Sequence, residues 1–409
     1  MPNVVFVAPF AMEATLRFVG AAASLPGVRL AVLSQDPAAA LPESLRSRLV
    51  AHEQVRDGLD ARQIVAGVRA LERRIGPVTR AIGMLEQLMV PLAEARAELG
   101  LPGLRPAAAR LFRDKSLMKD ALARAGVPCA RHRLVAGAAD AAQFVREVGF
   151  PVVVKPPAGA GAKGTFRVDH LEHLEQALAL HRPAPGREVL LEEFLTGAEH
   201  SFDCVFVDGR PVWHSISRYL PSPLEVLETP WIQWAVLLPR HIDGPEYAAI
   251  REAGPRAIAA LGLETGVAHL EWFRRPNGTA AVSEVGARPP GAQFCSLLSY
   301  AHDIDFYAAW AQIVVYGRFD PPPRRFAVGA AYFRAQGGGA RIVDVSGVDR
   351  AQKELGELVV EARLPRPGQG PSGSYEGEGY AILRHPETAV VERALARLVQ
   401  LVQVRLGDA

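Results

Sequence analysis

Apolar residues run unbroken over 4–8, recur at helical spacing over 11–25, and run again over 28–34 after the Pro26-Gly27 turn. That pattern predicts a buried strand, a helix and a second strand, the opening of a βαβ unit. Residues 59–99 keep helical spacing and predict mainly helix, and Pro102-Gly103 and Pro106 then punctuate the chain. Further on, the pattern predicts helix over 115–125, strand over 131–135, helix over 138–148 and the short buried strand Val152-Val153-Val154-Lys155. A glycine-rich loop at 159–164 follows, then strand over 165–168, helix over 171–180 and strand over 188–192. Asp208-Gly209 between apolar runs signals a hairpin within 201–217. Past the Pro-rich stretch 320–323, strands over 327–333 and 380–384 and a helix over 388–401 flank a polar loop at 365–379. Three units are expected: a Rossmann-like βαβ domain over 1–110, a core over 111–325 with a mobile lid at about 130–195, and a small α+β subdomain over 326–409. The fold class is α/β and α+β.

Composition narrows the function classes. The chain has 409 residues, 22% charged and 49% hydrophobic, which excludes disordered and fibrous proteins and supplies ample core without disulfide or metal staples. A net charge of +2 with no Lys/Arg block leaves no electrostatic footprint for nucleic acid or an anionic membrane. The first residues carry no positive n-region, and no apolar run reaches the roughly 18 residues that would span a bilayer. A cytoplasmic protein is expected. Cys129, Cys204 and Cys295 form no CxxC pair and are expected as buried free thiols. Lysine is scarce: among 46 basic residues it occurs only at 115, 119, 155, 163 and 353. Where arginine is so favoured, a retained lysine marks a place for a compact ammonium, although chance clustering on solvated surface gives the same pattern.

Gly159-Ala160-Gly161-Ala162-Lys163-Gly164 satisfies GxGxxG. Dinucleotide binding needs such a loop to open a helix whose N-terminus meets the pyrophosphate. Here Thr165-Phe166-Arg167-Val168 is β-like, so the context is strand, loop, strand. A glycine hairpin laid over phosphates fits better, because backbone N–H groups can approach the oxygens and a lysine supplies charge. A plain structural turn stays open.

Residues 267–273 and 279–285 flank Arg274-Arg275-Pro276-Asn277-Gly278, and Asn-Gly is a strong hairpin signal. With Asn277-Gly278 as a two-residue turn, Glu271 falls directly opposite Glu284. Like charges so placed are destabilising, and a divalent cation removes the conflict. Period two puts His269, Glu271 and Phe273 on one face with Glu284, Gly286 and Arg288 on the matching one. Oxygen ligands without clustered Cys or His favour Mg²⁺, with Mn²⁺ as substitute, over zinc. A solvated hairpin face with splayed glutamates is the alternative.

In order along the chain, Arg113-Asp114-Lys115, Val154-Lys155-Pro156 with the glycine loop, Leu191-Glu192-Glu193-Phe194-Leu195-Thr196-Gly197-Ala198-Glu199, His269-Leu270-Glu271 and Glu284-Val285-Gly286-Ala287-Arg288 resemble the ATP-grasp superfamily. The resemblance covers about 113–325 and is nearest the carboxylate-amine ligase branch that includes L-amino acid ligases. The βαβ opening and the C-terminal subdomain are similar to that branch's flanking domains. The resemblance implies an ATP-grasp fold with a pre-ATP-grasp domain, and ATP and Mg²⁺ as cofactors. It further implies Lys115 and Lys155 on the phosphates and Gly159, Gly161, Lys163, Gly164 and Thr165 in a phosphate lid. Glu192, Glu193, Phe194 and Leu195 would form the hinge that reads adenine, and Glu199 would hold the ribose. Glu271 and Glu284 would hold metal, and Arg288, with Lys155, would act in catalysis by steadying the transferred phosphoryl group. Without the resemblance, Glu192-Glu193 is equally a solvated strand end. One departure is Gly286, where the family commonly has Asn. Pro289-Pro290-Gly291-Ala292-Gln293 is similar to the family's glycine loop near the acyl phosphate, with Ala292 in place of a frequent glycine.

The implied activity is an ATP-dependent ligase joining small-molecule carboxylate and amine substrates, amino acids among them, through an acyl phosphate. The alternatives are a carboxylase-type enzyme phosphorylating bicarbonate or formate, a non-catalytic ATP-binding module suggested by Gly286, and, more remotely, a dinucleotide oxidoreductase. Candidates for the substrate pocket are His269, Arg218, Tyr219, Trp231, Trp234 and Gly291, with core packing the competing account of the tryptophans. A homodimer is the base-rate assembly.

Overall fold

The computed structural model describes residues 1–159, 161, 164–229 and 232–408. The chain opens with a parallel sheet in the order Ala51–Gln54, Arg29–Ser34, Asn3–Val7, Val78–Ile82. Two of these strands escape the hydrophobic pattern. Ala51–Gln54 is too short and polar to stand out, and Val78–Ile82 interrupts the region expected as mainly helix. Its Val-Thr-Arg-Ala-Ile run is held by pairing with the first strand rather than by alternation of its own. Helix Ala61–Ile75 covers one face of this sheet. The other face shares a core with the body of the molecule: Phe6 and Phe18 lie 5.9 and 5.0 Å from the Trp310 ring, on helix Phe306–Tyr316.

The body is one eight-stranded antiparallel sheet. Its order is Ala280–Gly286, Gly266–Arg274, Ala198–Val207, Arg210–Leu220, Trp234–Leu238, Ala327–Phe333, Gly379–His385, Val359–Arg363. The last three strands come from the segment expected as a separate α+β subdomain. That segment adds helix Thr388–Leu401 and a ribbon of Arg341–Ser346 with Gln403–Gly407, but its main strands extend the central sheet through Trp234–Leu238.

A third, four-stranded antiparallel sheet, ordered His132–Val135, Val189–Glu193, Val152–Lys155, Phe166–Val168, carries helices Ala138–Val148 and Leu171–His181. It has its own core, with Phe144, Val152, Val154, Leu174 and Leu191 packed together. No helix among the described residues is long and apolar enough to cross a membrane.

Candidate active site

A cleft of about 590 Å³ lies between this small sheet and the central one. Its floor follows from period two. Along Ala198–Val207, residues Glu199, Ser201 and Asp203 share a face, and register places Phe273, Glu271 and His269 beside them. The outer strand adds Glu284 opposite Glu271 and Gly286 opposite His269. The expected two-residue turn is corrected by the structure: Arg275 N–H donates to Thr279 O at 2.9 Å around Pro276-Asn277-Gly278, a three-residue loop with Gly278 at φ 81. That extra residue would slip the glutamates to opposite faces, but a bulge at Ser283 restores the register.

The bulge does more than correct register. Ser283 O accepts from Lys119 Nζ at 2.7 Å. Asp114 caps helix Lys115–Arg124 by accepting from Ser116 and Leu117 N–H, and the cap puts Lys115 in the first turn with Lys119 one turn later on the same face. Lys115 Nζ sits 2.9 Å from Glu284 Oε1 and donates to Gly159 O at 3.2 Å. Lys119 is fully buried and 3.4 Å from Glu192 Oε1, whose other oxygen lies 2.9 Å from Lys155 Nζ. Cross-strand register explains that last pair, since Val153 is opposite Glu192 and Lys155 is its diagonal neighbour. Glu192 is therefore no solvated strand end. Burial pushes its carboxyl up, but Lys119 and Lys155 outweigh that and hold it below the usual range. Glu193 pairs with Arg131 at 2.5 Å and Arg275 at 3.6 Å. The Glu193 and Phe194 N–H groups are engaged by Arg131 O and Pro151 O.

The carboxylates on the floor are only partly compensated. Tyr219 OH donates to Glu271 at 3.2 Å and lies 3.3 Å from His269 Nε2, while Asp203 holds His269 Nδ1 at 2.7 Å. Burial first, and then the Glu271 charge, push the Glu199 carboxyl well above the usual range. Burial also raises Glu284, but Lys115, Lys155 and Arg288 bring it below that range. Among the described residues no cluster of three His, Cys, Asp or Glu forms a complete metal cage. Two opposed carboxylates, one paired with Lys115 and the other with Tyr219, instead fit a hard cation that takes its remaining ligands from phosphates and water.

Most of the expected site residues line this cleft: Lys115, Lys155, Gly159, Gly161, Thr165, Glu192, Glu193, Phe194, Leu195, Glu199, Trp234, His269, Glu271, Glu284, Arg288 and Gly291. Gly164 does not, and its carbonyl faces His181 Nε2 at 2.9 Å. Arg218 is a correction. Period two turns it to the opposite face from Tyr219, where its Nε donates to Tyr247 OH at 2.8 Å. Lys163 and Trp231 lie outside the described residues. Sequence reasoning missed Tyr375, which comes from the polar loop at 365–379 and packs edge-on at 4.7 Å against Trp234. An aromatic residue alone in a Gly/Ser/Pro loop was the available signal. Phe294 and Tyr219 complete an aromatic wall, and the buried Trp234 indole N–H has no hydrogen-bond partner among the described residues.

Comparison with known proteins agrees with this geometry. Residues 113–217 match the model of the phosphoribosylglycinamide synthetase ATP-grasp (A) domain. The L-arginine-specific L-amino acid ligase of Bacillus subtilis is 25% identical over 248 residues, 59% of this chain and 59% of the relative. A phosphoribosylamine–glycine ligase of Allochromatium vinosum is 37% identical over 155 residues, 36% of either chain. The chain thus spans 59% and 36% of the lengths of these two relatives. The crystal structure of an L-amino acid ligase from Bacillus licheniformis superposes with a TM-score of 0.79, covering 100% of this chain and 99% of that one at 20% identity. The fold is the ATP-grasp fold. Within that superfamily the chain resembles the carboxylate-amine ligase branch, the L-amino acid ligases in particular.

Proposed function

We propose that this protein is an ATP-dependent ligase that joins the carboxylate of one small molecule, an amino acid among the candidates, to the amine of another. The observation that carries the reading is the convergence of Lys115, Lys155, the opposed Glu271 and Glu284, and Arg288 on one cleft in an ATP-grasp fold. A magnesium ion held by Glu271 and Glu284 would supply charge neutralisation on the nucleotide phosphates. Lys115 and Lys155 hold those phosphates, and with the Glu193 and Phe194 N–H groups engaged, Leu195 N–H is the hinge donor for adenine. Glu199 takes the ribose hydroxyls. The small sheet, about 130–195, acts as the lid, moving as one body because its core is its own.

In the proposed reaction a substrate carboxylate oxygen attacks the γ-phosphorus, the bond from that phosphorus to the β-phosphate oxygen breaks, and ADP leaves with the electron pair. The amine nitrogen then attacks the acyl carbon, the carbon–oxygen bond to phosphate breaks, and the proton from nitrogen leaves on phosphate. No protein nucleophile takes part. The chain contributes positioning and cations in a closed site. The acid's side chain rests against Trp234, Tyr375 and Phe294, which favours apolar and aromatic acids.

The test is ADP release from Mg-ATP against L-amino acids, added singly and in pairs, with bicarbonate, formate and small carboxylic acids as controls. Release that requires an acid and an amine together, with an amide product by mass spectrometry, is expected. Release with bicarbonate or formate alone would replace the reading with a carboxylase-type one, and tight ATP binding without turnover would replace it with a binding module.

A further inference from the structure

Position 286 holds glycine where the resemblance places asparagine, and the backbone does not call for it, since Gly286 is absent from the positive-φ residues. A Cβ itself would fit there in ordinary contact, and what glycine leaves open is the space beyond it. A Cβ at 286 would lie 3.4 Å from Glu86 Oε2 and 3.6 Å from Arg288 Cγ. Glu86 belongs to the N-terminal unit, at the start of the single 3-10 turn Glu86–Leu88, and its side chain is only 8% exposed. It reaches Arg288 from 202 residues away in sequence, and Oε2 accepts from Arg288 Nε at 2.5 Å. Its Oε1 stands 3.6 Å from Arg113 Nη1, which in turn donates to Gly159 O at 2.9 Å in the glycine loop. Arg288 Nη1 donates to Pro289 O at 3.0 Å. Two of the three guanidinium nitrogens are thus committed, and the plane of the group is fixed.

We propose that Glu86 is the positioning residue for Arg288, that the absence of a long side chain at 286 leaves this pair undisturbed, and that through Arg113 the same carboxylate links Arg288 to the glycine loop. This rests on the role given above to Arg288. A buried carboxylate shared by two guanidiniums is already neutralised, so its part is to orient a cation rather than to bind metal. Glu86 has no resemblance to any motif of the central region, because it arrives from a different unit of the chain.

The experiment compares wild type with Glu86→Gln, Glu86→Asp and Gly286→Asn. Calorimetry measures the affinity for MgADP alone and for MgADP with aluminium fluoride, a mimic of the phosphoryl group in flight. Manganese binding is followed by the electron paramagnetic resonance of free Mn²⁺, and thermal melts report folding. Wild type is expected to bind MgADP more tightly with fluoride. Glu86→Gln should bind MgADP within threefold of wild type yet lose at least tenfold of the fluoride-dependent tightening, Glu86→Asp should recover part of it, and Gly286→Asn should mimic the loss. Adding Glu86→Gln to Gly286→Asn should then cost little more. Full tightening in Glu86→Gln overturns the proposal. A tenfold fall in Mn²⁺ affinity in Glu86→Gln overturns it in favour of a metal ligand. Wild type that binds MgADP but ignores fluoride removes the role of Arg288 and this proposal with it, whereas failure to find any acid and amine pair strikes only the choice of substrates.

Discussion

Glu271 stands directly opposite Glu284 although their strands are joined by a three-residue loop, because the bulge at Ser283 cancels the slip the loop introduces. Two like charges are held together by register, with Lys115 on one and Tyr219 on the other. Replacing Glu284 by Gln keeps shape and removes the charge that faces the proposed metal. Turnover should fall on the order of a hundredfold or more, with a raised Mg²⁺ requirement and a melt that stays cooperative but shifts down because Lys115 loses its partner. A steady-state magnesium titration beside circular-dichroism melts checks this, and near-normal turnover would sink the assignment.

Lys119 ties the helix, the bulge and Glu192 into one buried knot. Its removal would leave Glu192 with Lys155 alone, take the donor away from Ser283 O, and loosen the register itself. Lys119→Met is expected to cost about 3–5 kcal/mol, the range for breaking one side of a buried ion pair. Urea unfolding measures it, and a loss under 1 kcal/mol would show the knot to be dispensable.

The lysine pattern shows how far the sequence reaches. Scarcity singled out 115, 119, 155, 163 and 353: Lys115 and Lys155 are buried on acidic partners in the cleft, Lys119 is buried on Glu192 beneath it, Lys353 is exposed, and 163 lies outside the described residues. Alternation put His269 and Glu271 on one face, but the expected pairing with Glu284 holds only because the bulge at Ser283 offsets a loop one residue longer than the pattern predicts. Three things were out of reach. Strand Val78–Ile82 owes its state to a parallel neighbour far away in sequence, so no local pattern announces it. Arg218 and Tyr219 are adjacent, and only pairing with Ala198–Val207 decides which one faces the cleft. Glu86 and Tyr375 arrive from the two flanks of the chain, and only packing brings them to the central motifs.

His200 and His302 are buried, and burial first, with nearby arginines, lowers both to about 4. Among the described residues His302 Nε2 has no hydrogen-bond partner, so a proton there would meet no acceptor. The unfolded chain binds these protons near pH 6.5 and the native state does not, so stability is full above that pH and drains as pH falls toward 4. The gap corresponds to roughly 3 kcal/mol per histidine at the acid end. Melting temperature from pH 7.5 to 4 should therefore drop, and His302→Gln should flatten the slope. An unchanged slope would mean that His302 is charged in the native state.

Gly197, at φ 128, presses against the hairpin that carries Glu271: a Cβ there would lie 2.1 Å from Arg274 O. Gly197→Ala must push the proposed hinge off that hairpin. About 1–3 kcal/mol of stability should be lost, together with nucleotide affinity, as read by denaturation and ADP calorimetry. Unchanged ADP affinity in a destabilised variant would separate the hinge from nucleotide binding.

Tyr375→Ala should leave folding nearly intact, since the residue sits on a loop, while raising KM for aromatic and large apolar acids about tenfold and sparing small ones. A uniform change across acids of every size would remove Tyr375 from the pocket wall.

The chain's economy in lysine has a practical side. Lys115, Lys119 and Lys155 are enclosed, while Lys353 stands exposed on helix Val348–Leu355. An amine-reactive reagent thus meets one open described lysine remote from the cleft and two in it, Lys115 and Lys155, that a closed nucleotide-bound state would shield further. Labelling at Lys353 becomes an internal standard, and the ratio of cleft to standard turns covalent modification into a gauge of whether the proposed lid opens at all.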